Sequence, residues 1–252
     1  MNPGNASAIF FSGADVPGDQ FMANRTRSLA LLGALVTVPM LTISAAQAAQ
    51  TSPTSSMPAP SDANSNKKLR AAAEPFEKLT EISFSAGWPT IDQTVGEAKA
   101  AARGARGSLS KDAAGRLDVQ IAAIKSARQK RDRTGLALSS IEVYRILVSA
   151  VTDNAKIPTE VSLLDYAGFR YDANLKARPI RWDDMANAAS FARKTWDALS
   201  PRAKVSPMAT KFEKAISDMD KAVVQRNKSL AASSVKTELD LVDELEKFFS
   251  AH

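Results

Sequence analysis

From Leu69 onward, apolar residues recur at helical spacing. Trp182, Met185, Ala189, Ala192, Trp196 and Leu199 step by threes and fours, which places all six on one helix face. Ser206 and Pro207 read as a cap and a proline in the first turn of the next helix. That helix carries Met208, Phe212, Ala215, Met219 and Val223 on one side and ends near Asn227. The last helix buries Val235, Leu239, Val242, Leu245 and Phe249. Upstream, Ser139 and Glu142 have the spacing of a capping box ahead of Tyr144, Leu147 and Val151. Pro158-Thr159 starts a further helix with Val161, Leu164, Gly168, Tyr171 and Leu175 on one stripe. Runs of β-branched or aromatic residues of strand length are missing. The pattern predicts an all-α chain, an antiparallel bundle of six to eight helices.

Two stretches resemble each other. Trp88, Ile91, Val95, Ala98, Ala102 and Ala105 match the Trp182 stripe at a constant offset, 88 to 182. With one residue inserted, Leu117, Ile121, Ile124 and Ala127 match Phe212, Ile216, Met219 and Ala222. The turn Arg131-Asp132-Arg133-Thr134 then matches Arg226-Asn227-Lys228-Ser229 in residue character, and Tyr144 and Leu147 match Leu239 and Val242. A shared stripe alone means little, because any two amphipathic helices have one. The shared tryptophan and turn chemistry favour a duplicated unit of three or four helices.

The first 48 residues obey a different grammar. A short basic stretch, Met22 to Arg27, precedes the apolar run Ser28 to Ile43, and Ala46-Gln47-Ala48 supplies a small-x-small ending. That order is the signature of a secretory signal peptide, with translation expected to start at Met22. The apolar run is short for a bilayer crossing and contains Pro39, which favours a cleaved signal over the alternative of an uncleaved anchor. Gln50 to Asn66 is rich in Ser, Pro, Thr and Asn and reads as a disordered tether. The expected organisation is a leader over 1–48, a linker over 49–67, one helical unit over 68–153 and a second, packed on it, over 158–252. The expected location is the periplasm, with membrane contact only in transit.

Composition removes whole classes of chemistry. There is no cysteine, hence no disulfide, thiolate metal site, iron–sulfur cluster, thiol nucleophile or CxxCH haem attachment. The single histidine, His252, is the last residue, so an imidazole base or a Ser–His–Asp triad has no material. The expectation is no haem, iron–sulfur or zinc cofactor and no enzyme, although an acid–base pair such as Asp165 and Tyr166 leaves that last point open. A net charge of +6 without an arginine-rich tract interleaved with aromatics does not indicate nucleic acid. Lys125, Arg128, Lys130, Arg131 and Arg133 cluster at a helix end, where cations complement the helix dipole.

The densest aromatic and ionic stretch runs from Leu163 to Asp172. Apolar groups surround most of that helix, so some of its charges are buried and need partners. Asp165, Arg170 and Asp172 are placed to pair with Glu142 and Arg145, either as structural ion pairs or as a polar pocket roofed by Tyr166, Phe169 and Tyr171. Glu142, Arg145, Asp165, Tyr166, Arg170 and Asp172 form the candidate ligand site. Glu142, Asp165 and Glu238 form a candidate all-carboxylate site for a hard divalent cation. The functional expectation is an exported, non-enzymatic bundle that binds a small molecule or a protein partner. The alternative is a carboxylate-based divalent-metal protein of the same compartment.

Overall fold

The structure, a computed structural model, describes residues 60–152, 156–203 and 208–251. Among them are eight helices and no strand: α1 (Pro60–Ile82), α2 (Trp88–Ala105), α3 (Lys111–Lys130), α4 (Arg133–Ser149), α5 (Thr159–Lys176), α6 (Trp182–Ala203), α7 (Ala209–Val224) and α8 (Lys228–Ala251). A 3-10 turn, Arg106–Ser108, links α2 to α3. The all-α expectation therefore holds, with eight helices. The leader, the Ser206-Pro207 start, residues 153–155 of the hinge and His252 lie outside the described residues.

Local chemistry sets the helix ends. Ser110 caps α3 by accepting a hydrogen bond from the Ala113 amide, and Asp132 caps α4 through the Gly135 amide at 2.8 Å. Asn227 does the same for α8, its Oδ1 accepting from Leu230 N at 3.0 Å. Each such cap is worth about 1 kcal/mol. Before two of these caps the chain reverses through a non-glycine residue in the left-handed region, Arg131 (φ 53°) and Arg226 (φ 47°). Asp132 N then donates back to Ala127 O, and Asn227 N to Ala222 O, each at 2.9 Å, which closes both helix C-termini.

α1 packs on α2 and α4, and α4 packs on α3. In the same order, α5 packs on α6 and α8, and α8 packs on α7. α4 and α5 join the halves, and the helices belong to one compact unit. One large core gathers α1 to α4 and runs into the neighbouring end of the second half through Tyr171, Met185, Met219 and Leu239. A smaller core closes the far end, where buried Trp196 stacks on Phe212 with ring centroids 4.5 Å apart. The anticipated stripes face these cores: Ile91, Val95, Ala98, Met185, Ala189, Leu199, Val242 and Leu245 are all buried. Met185, Met208 and Met219 are packing residues.

Two boundaries differ from expectation. Ser139 and Glu142 do not form a capping box. They lie inside α4, which starts at Arg133 because the left-handed turn and the Asp132 cap set its first turn. The stretch expected as tether contains the start of α1 at Pro60, and buried Asn66 accepts a hydrogen bond from Thr152 N at 3.2 Å. Its polar composition hid a helix that is held by a contact distant in sequence.

Candidate functional site

α4 and α5 meet across Glu142. Helical spacing puts Tyr166 and Arg170 one turn apart on the side of α5 that faces α4. Both reach the same carboxylate oxygen: Tyr166 OH donates to Glu142 Oε1 at 2.7 Å, and Arg170 Nη1 donates to it as well. The other oxygen, Oε2, accepts two bonds from Arg145, from Nε at 3.0 Å and Nη2 at 2.9 Å. Arg170 Nη1 also donates to Tyr166 OH at 3.1 Å. Both oxygens of one largely buried carboxylate are thus held by two guanidiniums and a phenol.

The line of charge continues into α6. Arg170 Nη2 lies 3.9 Å from Asp184 Oδ1, and Arg181 Nη2 lies 2.5 Å from Asp184 Oδ2. Arg145, Glu142, Arg170, Asp184 and Arg181 therefore alternate in sign across α4, α5, the start of α6 and the loop residue before it. Tyr166 sits at the centre, its ring beneath the Arg145 guanidinium at 5.4 Å and edge-on to Phe191 at 5.1 Å. Burial, reinforced by the Glu142 carboxylate, pushes the Tyr166 phenol up to about 12. The phenol is therefore neutral at physiological pH and serves as donor to Glu142. Burial works to lower the pKa of Arg145, but the Glu142 carboxylate and the Tyr166 phenol together outweigh it and the net shift is upward.

Four of the six anticipated ligand-site residues, Glu142, Arg145, Tyr166 and Arg170, come together. Asp172 does not join them; it pairs with Lys176 one turn on, at 2.7 Å. Asp165 is fully buried and lies one turn before Gly168, on the side of α5 that α8 approaches. There Glu238, also fully buried, packs against the backbone of Gly168. A β-carbon on Gly168 would collide with Glu238 Oε2 and would fall 2.6 Å from Leu239 Cδ2, so glycine is what lets α5 and α8 come this close. Among the described residues no group of three or more acidic or histidine side chains is arranged to hold a metal ion. Glu142, Asp165 and Glu238 are thus not gathered into one cation site: Glu142 of α4 bonds Tyr166 and Arg170, while Glu238 of α8 packs against Gly168.

Sequence reading missed Arg181, Asp184 and Phe191. Their only signal was position: Asp184 lies in the first turn of a helix that must pack on α5, and nothing along the chain shows which side chain of α5 it meets. The network also reaches the surface. Glu142, Arg145 and Ile146 form one wall of an open groove of about 660 Å³, and Asp112, Arg116, Val119 and Gln120 of α3 form much of the other. Val119 is 65% exposed there, one of two large apolar side chains left in water among the described residues. Comparison with protein-family models, curated proteins and solved structures finds no match to this chain.

Proposed function

We propose that the protein is an exported, non-enzymatic helical bundle that binds a partner along the α3–α4 groove, with the Glu142 network as its fixed polar wall. The observation that supports this reading is the dual position of Glu142 and Arg145, bonded into the interior yet lining the groove. Such side chains are preorganised, so little rotamer entropy is lost when a ligand meets them. The groove is open along its length, which fits an extended segment of a protein partner better than an enclosed small molecule. A photo-crosslinking residue at Val119 in the full-length protein, expressed in its native compartment, tests the reading. One discrete adduct is expected, lost on Arg145→Ala. Absence of an adduct, or one indifferent to Arg145→Ala, rejects it.

We further infer that the helices arose from a duplicated four-helix unit, α1–α4 and α5–α8. Three features support this: the shared stripe, the same order of helix neighbours, and the same hydrogen bonds at the two left-handed turns. Thr80 and Asn174, at matching positions of α1 and α5, each donate to the carbonyl four residues back. Exchange of residues 131–134 for the sequence of 226–229 tests equivalence. The chimera is expected to fold, with a lower Tm traceable to the contacts of Arg133; failure to fold argues against the duplication.

A further inference from the structure

The two left-handed turns sit beside matching tryptophans, and the side chains around those tryptophans differ. In the first half, Arg131 and Arg133 lie over Trp88, with guanidinium carbons 5.9 and 5.1 Å from the ring centroid. Arg133 also donates from Nη1 to Ser83 O at 2.5 Å and from Nη2 to Ala86 O at 3.0 Å. One guanidinium thus stacks on the indole and bridges two carbonyls of the α1–α2 loop. The planar fork makes both kinds of contact at once, which an ammonium cannot.

In the second half the loop has the same length, Trp182 stands where Trp88 stands, and the position of Arg133 is taken by Lys228. Each is the first residue of its helix. Lys228 is exposed, and among the described residues no cation lies over Trp182. In place of the plug is a pocket of about 350 Å³ lined by Ile180, Arg181, Trp182, Asp183, Asp184 and Arg226. Arg181, Asp183 and Asp184 replace Gly87, Pro89 and Thr90 of the first half, so the lining gains two carboxylates and one guanidinium beside the indole. Asp184 is engaged by Arg181, whereas Asp183 is exposed and makes no ion pair among the described residues.

We propose that the Trp182 pocket is a binding site for a guanidinium group supplied from outside the chain, such as the side chain of an arginine in a partner or peptide. The first half shows what a tryptophan beside such a left-handed turn holds: a guanidinium over the indole, its N–H groups on carbonyls of the α1–α2 loop. The α5–α6 loop, by contrast, is closed by its own bonds, from Ala177 N and Arg181 N to Asn174 O. The second half keeps the tryptophan and the loop length, omits the internal guanidinium and leaves the exposed Asp183 carboxylate beside the indole with no ion pair among the described residues. The left-handed turn beside each tryptophan has the same backbone whether or not the halves share an origin. The proposed site is also independent of the α3–α4 groove.

The test is a ligand-observed NMR titration of the full-length protein with N-acetyl-arginine amide, with its neutral citrulline counterpart as control. Saturable binding of the arginine compound alone is expected. Trp182→Leu should weaken it by about tenfold, the size that loss of one cation–π contact produces. Lys228→Arg should also abolish or weaken it, because it supplies the internal plug, and this change at an exposed position leaves the core untouched. Binding that is absent, equal for citrulline, or unchanged in Lys228→Arg overturns the proposal, and the last outcome does so even if Trp182→Leu fails to fold.

Discussion

The α3–α4 and α7–α8 turns have the same backbone and different side-chain work. Both pass through a left-handed arginine, both close the preceding helix with the same pair of amide-to-carbonyl bonds, and both cap the following helix with an Asp or Asn. The first is tied down further: Arg133 grips the neighbouring loop and Arg128 holds Asp92 in a two-bond pair, the shorter bond 2.5 Å. In the second half the matching positions are Lys228, Val223 and Ala186. Backbone geometry is therefore dictated by a few capping atoms, whereas the side chains around it decide whether a site is plugged or open. The halves differ likewise at the polar network, where Glu142 of α4 corresponds to exposed Thr237 of α8.

The largest expected difference lies at that last pair. Glu142→Ala strands Arg170, Arg145 and Tyr166, and since these groups are only partly buried the expected loss is about 2–3 kcal/mol, below the full figure for a broken buried pair. Thr237→Ala should stay within about 0.5 kcal/mol. Urea unfolding of both variants measures this; equal effects would mean the network is a solvated surface.

Next in size is Gly168→Ala. Displacing Glu238 and Leu239 costs roughly 1–3 kcal/mol, partly offset by the better helix propensity of alanine, about 1 kcal/mol. The matching Glu74→Ala in α1, at an exposed position, should be near neutral. A more stable Gly168→Ala protein would show that α8 yields easily.

Arg133→Lys and Lys228→Arg form a reciprocal pair. The first should lower stability by about 1 kcal/mol as a stacked, doubly bonded guanidinium is lost. The second should leave stability unchanged or raise it. Thermal melts that fall for both would break the comparison.

The turns themselves are a finer probe. A left-handed non-glycine residue costs about 1 kcal/mol, so Arg226→Gly should stabilise by up to about that amount. Arg131→Gly should gain less, because Arg131 also lies over Trp88.

The smallest effect is acid dependence. The Arg128 guanidinium bonded to Asp92 holds that carboxyl below its usual range. A lowered folded-state value means the stabilisation is present above the ordinary carboxylate range and fades as pH falls through the lowered value. Asp92→Asn should therefore flatten the acid limb of the stability curve slightly, while Ala186→Asp, with no arginine opposite, should not steepen it.

Much of this molecule follows from periodicity alone. Burial of the Met185–Leu199 and Val235–Phe249 stripes, the helix start at Thr159 and the pairing of Glu142 with Arg170 were legible along the chain. Apolar residues at helical spacing have only one way to leave water, and a charge on a helix that is apolar nearly all round must find a partner. Tertiary structure decided the rest. It turned Asp172 to Lys176 rather than to the network, because a rotation of one residue about α5 turns a side chain by about 100° toward a different neighbour. It made Pro60 to Asn66 helical through a contact with Thr152, and brought Asp184 and Arg181 to Arg170. It also left one tryptophan covered and its counterpart beside an open pocket. Those outcomes depend on which helix faces which, and a distance between helices is not written in the spacing within any one of them.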